Sequence, residues 1–213
     1  MEEESVAEIQ RKEKAFHELL AGDAHRELAA LCDIRVAPFF LAKTPSQHGN
    51  VATSGTYAKL LAGEADPAET IVGKTARSES EKRRFFHWFL EFPQVFANGG
   101  FDCLLSNPPF LGGQKITGVF GTQYLTWLKS AYAPAGAMDY VGFFYRRAFD
   151  CLAAGGRTAM LATNTIAQGG TREGTLKPIV ENGGSMVFGI RSMPWPGLAA
   201  VSDGFSHVLI HDA

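Results

Sequence analysis

The chain has 213 residues, 46% of them hydrophobic, which is enough for one full α/β core and a small helical appendage. Its formal net charge is −2, and the halves differ little: Phe101 to Ala213 carries 8 Lys+Arg against 7 Asp+Glu, leaving 12 against 15 for the first hundred residues. This excludes a broad basic face for a phosphate backbone. The charged opening MEEESVAEIQRKEK argues against a secretory signal, and no apolar run nears the roughly 18 residues that span a bilayer, so a cytoplasmic protein without membrane contact is expected.

Taken in chain order, the pattern from Ser5 to about Leu41 is helical, with Val6, Ile9, Phe16, Leu19 and Leu20, then Leu28, Leu31 and Cys32, recurring every three to four residues. Gly22 and Asp23 divide it into two helices. Residues 42–80 are small and polar with one short helical candidate around Tyr57 to Leu61, and they read as an extended connector. KRRFFHWFLEFPQVFANGG is densely aromatic and reads as a helix pinned against a sheet, ahead of a base-stacking platform.

Near residue 100 the rhythm changes to alternating strands and helices. Phe101 to Ser106 is a short apolar run suited to a buried parallel strand, and it stops at Asn107-Pro108-Pro109 because proline cannot continue a ladder. Ala137 to Ala154 reads as a helix capped by Gly155-Gly156, and RTAMLATNTI as a second buried strand. Thr171 can cap another helix, with Leu176, Ile179 and Val180 inward and Gly183-Gly184 at its end. SMVFGIRS and GFSHVLIH are two more strands, linked by the turn-rich MPWPGLAAVSD. The fold class is therefore α/β, the second half of a doubly wound sheet finishing in a hairpin, behind an N-terminal helical extension.

Cys32, Cys103 and Cys151 are odd in number and widely spaced, and read as reduced core cysteines. None of the six histidines has a spacing with cysteine that builds a zinc centre, so no metal is expected.

The chemistry is expected where the first strand ends, because ligands of open α/β sheets bind beyond the carboxyl ends of strands. An aromatic amine that attacks a sulfonium methyl needs both N–H hydrogens accepted, to draw its lone pair out of the ring. The Asn107 side-chain oxygen offers one acceptor and the Pro108 carbonyl a second, with Pro109 stiffening the turn. Phe110 offers a flat face for an extruded base. The same four residues also suit an ordinary proline-stiffened loop. Their context, a Gly-Gly turn and apolar strand before and Leu111-Gly112-Gly113 after, favours the ligand-binding alternative.

FHWFLEFPQVFANGGFDCLLSNPPFLGGQKITG, DYVGFFYRRAFDCLAAGGRTAMLATNTIAQGGTREGTLKPIV and RSMPWPGLAAV together resemble the large methylase subunits of restriction–modification systems, the fused type IIG (Eco57I- and MmeI-like) enzymes. The resemblance is strong over about residues 80–213 and looser over 5–41. It implies a partial Rossmann-like class I methyltransferase fold, with 1–80 as extension and connector and 81–213 as the C-terminal half of the catalytic domain. It also implies transfer of methyl from S-adenosylmethionine to N6 of an adenine flipped from double-stranded DNA. On matching positions Asn107, Pro108, Pro109 and Phe110 form the catalytic loop. Trp195 stands where a second stacking group is placed, with a plain core tryptophan as its competitor, and Asn164 is placed to contact substrate or brace the loop. Arg172 reads as a solvated or phosphate-facing side chain, and Lys115, Lys129 and Arg147 as surface charges, with contact to DNA as the alternative.

The chain departs from that family in having no Gly-x-Gly turn for the donor, and all its plausible parallel strands follow residue 100. It therefore reads as lacking the donor-binding half and a target-recognition domain, with weak donor binding and little turnover expected of it alone. The unpaired edge of a half sheet predicts association with the missing half or with a second copy. Two alternatives stay open: methylation of glutamine amides or of guanine amines in RNA, for which a similar loop serves, and a non-catalytic remnant or scaffolding subunit.

Overall fold

Ser5 starts the first helix by a reciprocal cap: its Oγ accepts from the Glu8 N–H at 3.3 Å, and its own N–H donates to the Glu8 carboxylate at 2.8 Å. The computed structural model describes residues 5–191 and 205–211, which fall into two units, Met1–Glu91 and Phe92–Ala213. In the first unit α1 (Val6–Ala21) and α2 (Asp23–Val36) break at Gly22 as the sequence predicts. After α3 (Ser54–Leu61) comes α4 (Ile71–Arg83) and the single turn α5 (Trp88–Glu91). Ile34, Ala37, Leu60, Val72 and Ala76 form the core.

Helix α4 lies where an extended connector is expected. Its apolar signal is only Val72 and Ala76, which are buried. Gly73 is required because a Cβ there would meet the Pro67 carbonyl oxygen at 1.9 Å. The rest is supported by the Thr70 cap and by Arg77–Glu81 at 2.9 Å and Arg83–Glu79 at 2.8 Å. Exposed pairs of that kind contribute about 0.3–0.5 kcal/mol each. His87 and Asp33 form a shielded pair at 2.8 Å.

The second unit opens with α6 (Pro93–Ala97), followed by β1 (Phe101–Ser106). The aromatic run is thus not one helix against a sheet: Phe85 packs on the first unit's core, while Phe92 and Phe96 set their edges on Phe101 at 5.3 and 5.7 Å. Pro93 forces the break, since it cannot continue α5 and instead starts α6. Next come α7 (Ile116–Phe120), α8 (Thr122–Ala131) and α9 (Tyr140–Asp150), then β2 (Leu152–Thr163), α10 (Gly169–Gly174), α11 (Leu176–Glu181), β3 (Ser185–Arg191) and β4 (Phe205–His211). The sheet order is β1-β2-β4-β3. β1 and β2 are parallel, and β4 lies antiparallel between β2 and β3, which forms the expected closing hairpin.

Three expectations need correction. Helix α9 ends at Asp150, and Gly155-Gly156 lies inside β2 instead of capping a helix. The register there jumps from Phe101↔Leu152 to Cys103↔Arg157. Gly155 takes φ +78°, and a Cβ on Gly156 would stand 2.6 Å from the Phe101 oxygen, so the glycines make a bulge that lets the strands touch. Thr171 sits within α10, and a second helix restarts at Leu176 because Pro178 is tolerated only in a first turn. Leu176 and Ile179 are buried, but Val180 is 48% exposed. Finally, β1 is an edge strand among the described residues, with Leu105 73% exposed and Cys103 exposed. Cys151 is buried and Cys32 half-buried, where burial raises the Cys32 thiol pKa to about 11.

The sheet face bearing Thr158, Met160 and Ala162 is packed by Val141, Tyr145 and Ala148 of α9 and by Ile179 of α11. Ile116, Leu128, Met138 and Phe143 form a second cluster around α7 and α8. Fully buried Tyr145 donates its hydroxyl to the Met160 carbonyl at 2.6 Å, which locks α9 to β2. Tyr145→Phe is expected to cost about 1–2 kcal/mol, the worth of a buried hydrogen bond whose acceptor stays behind. A urea titration reads this as a lower midpoint; an unchanged midpoint contradicts the lock.

Candidate active site

The loop after β1 is held from both sides. Ser106 pairs with Met160, so Asn107 leaves the sheet at the same end as the turn that follows β2. Asn107 and Pro109 are exposed, Pro108 is buried, and Phe110 is 41% exposed. The proline anchors the loop while its polar and aromatic neighbours face solvent.

Beyond Phe110 the chain is tied to the head of α9. The Tyr140 N–H donates to the Leu111 carbonyl at 2.8 Å, and the Gly113 N–H donates to Asp139 Oδ1 at 2.9 Å. Gly113 has no room for a side chain, since a Cβ would stand 2.5 Å from the Met138 oxygen. Asn164 opens the 3-10 turn Asn164–Ala167 directly after β2 and is half-buried. Thr165 in that turn donates its hydroxyl to Asp139 Oδ2 at 2.6 Å. Asp139 therefore bonds to both segments that leave the parallel strands. The sequence reading missed it; the available signal was an acidic residue just before an apolar helix, which ordinarily marks an N-cap.

Among the other residues singled out from the sequence, Arg172 is exposed and paired with Glu173 at 2.8 Å. Lys115, Lys129 and Arg147 are exposed. Trp195 and its flanking prolines lie outside the described residues. Deeper in the unit the Tyr124 and Tyr140 hydroxyls pair at 3.0 Å. Burial raises both of their pKa values, which makes each a poor base near neutrality. Among the described residues no cluster of His, Cys, Asp and Glu suits a metal, and no helix is long and apolar enough to cross a membrane.

β1 thus ends in Asn-Pro-Pro-Phe, beside a parallel partner whose chain continues into an asparagine-headed turn. The family of Eco57I restriction-modification methylases matches residues 47–182. The chain belongs to that family. The matched stretch begins inside the connector predicted from sequence and ends before β3, so RSMPWPGLAAV lies beyond it. A solved structure of the type IIL restriction-modification enzyme MmeI in complex with DNA is similar at 22% identity, with a TM-score of 0.40 over 52% of this chain. The chain spans 15% of the length of that enzyme. No curated protein matches the chain.

Gly113→Ala is expected to push the loop off the Met138 carbonyl and loosen its bond to Asp139. Overpacking against backbone costs about 1–3 kcal/mol, enough to raise local opening roughly 5- to 150-fold. Trypsin cleavage after exposed Lys115 should accelerate accordingly, and an unchanged cleavage rate would contradict the tight fit.

Proposed function

We propose that the chain supplies the amine-holding part of a DNA adenine-N6 methyltransferase. The observation that carries this reading is Asn107, exposed on a proline-stiffened loop at the carboxyl end of a parallel strand, in a chain of the methylase family. The Asn107 side-chain oxygen and the Pro108 carbonyl accept the two N–H hydrogens of the flipped base, and Phe110 stacks on its ring. With the hydrogens held, the nitrogen lone pair turns away from the ring and forms a bond to the methyl carbon, while the carbon–sulfur bond breaks and its electrons stay on sulfur. The methylated nitrogen is strongly acidic and gives its extra proton to water, so no side-chain base is needed. S-adenosylmethionine, when bound, supplies the electrophilic methyl group. The loop fits the acceptor amine. Asn164 faces the same substrate from the neighbouring turn, Trp195 provides a second stacking ring, and Lys115 reaches a phosphate of double-stranded DNA.

The strands of the donor-binding half add to the outer edge of β1, which is unpaired among the described residues, and cover the bare face that carries Leu105 and Cys103. Such edges seldom stay open in water. Without that partner the chain self-associates, and Leu105→Lys shifts it towards monomer; size-exclusion chromatography with light scattering checks this. A well-behaved monomer of the unaltered chain at high concentration would contradict it.

The direct test is methyl incorporation from labelled donor into DNA, with and without a polypeptide that carries the donor-binding half. Label in DNA only with the partner is the expected result, and Asn107→Ala should lower turnover on the order of 10²–10³-fold, as loss of one preorganised polar contact does. Label in protein or RNA would move the assignment to glutamine or guanine substrates. None in either case would mark a non-catalytic subunit.

A further inference from the structure

An aspartate at a helix N-cap ordinarily accepts from the first-turn N–H groups of its own helix. Asp139 occupies the N-cap of α9 and makes no such bond. Its carboxylate serves two other segments: Oδ1 accepts from the Gly113 N–H at 2.9 Å, and Oδ2 accepts from the Thr165 hydroxyl at 2.6 Å. Its own N–H donates to Thr171 Oγ1 at 3.1 Å, which fixes the backbone that carries the carboxylate. Thr165 is in turn within 2.6 Å of the Thr163 hydroxyl at the end of β2. One half-buried carboxylate therefore bridges the loop that follows Asn107–Phe110 and the turn that begins at Asn164. Both bonds are charge-assisted, the stronger kind.

We propose that Asp139 is a positioning residue that holds the Asn107 loop and the Asn164 turn at one fixed spacing, so that the two asparagines meet a single nucleobase as a rigid pair. Its relevance to catalysis rests on the reading of the loop given above. Its mechanical content does not: if the carboxylate is the shared anchor, disturbing either side must loosen the other, although Gly113 and Thr165 lie far apart in sequence.

The test is amide hydrogen exchange on the full chain, read by mass spectrometry in peptides covering Gly113 and 164–168. Asp139→Ala should raise exchange in both peptides by about tenfold or more. Asp139→Asn should stay near the unaltered chain. Its amide oxygen can accept from Gly113, and its NH₂ can donate to the Thr165 oxygen once that hydroxyl turns its proton to Thr163. Thr165→Val should raise exchange at Gly113 by roughly threefold through the carboxylate alone. The proposal is overturned if Asp139→Ala loosens only one peptide, if Asp139→Asn is as open as Asp139→Ala, or if Thr165→Val leaves Gly113 unmoved. Should Asp139→Ala fail to fold, the Asn and Val variants decide. Exchange needs neither donor nor DNA, so failure of the methyl-incorporation test and failure of this one are separable.

Discussion

Parallel strands release their chains at the same end of a sheet, and the pairing of β1 with β2 gives the second unit its functional geometry. Had β1 run antiparallel to β2, Asn107 and Asn164 would emerge at opposite ends. A parallel pair needs a crossover between its strands, and α7, α8 and α9 occupy it. Close approach of the two strands at their starts is bought by glycine, since a Cβ on Gly100 would stand 2.6 Å from the Cys151 oxygen. The Tyr145 hydroxyl on the Met160 carbonyl then fixes the crossover helix to the strand, and Asp139 at its head fixes both emerging segments. Backbone pairing, packing and loop placement form one chain of causes.

Much of this was legible in the residues, for identifiable reasons. β1 and its end were legible because an apolar run halted by Asn-Pro-Pro admits few other conformations. The closing hairpin was legible as two β-rich runs around a turn-rich stretch. The start of β2 was not, because Gly-Gly after a helix has the same appearance whether it caps the helix or bulges a strand; only the contact with Phe101 decides. Helix α4 was hidden by its polarity, since a capped helix with two buried apolar side chains leaves almost no periodic signal. Helices α7 and α8 are short and interrupted by Gly121 at φ +87°, so no window long enough to show a period spans them.

The candidate loop was legible and its anchor was not. Asn107, Pro108, Pro109 and Phe110 stand together in sequence, and their residue types state what they can bind. Asp139 acts through partners on two other segments, so its part emerges only once the fold brings Gly113 and Thr165 to it. Burial at Cys103 was misjudged for a related reason, because an apolar strand looks alike whether both faces of its sheet are covered or, as on the side of Cys103 and Leu105, one is bare. The outer edge of β1 has no neighbouring strand among the described residues.

The central claim concerns a single contact, the Asn107 side-chain amide against an adenine amine. It is tested most directly by following the Asn107 side-chain NH₂ resonance, assigned through its loss in Asn107→Asp, while adenosine or purine riboside is added. The two nucleosides differ only in the exocyclic amine. A saturable shift with adenosine that purine riboside does not reproduce is the predicted result. Equal shifts with both, or none with either while the loop stays folded, would contradict the account.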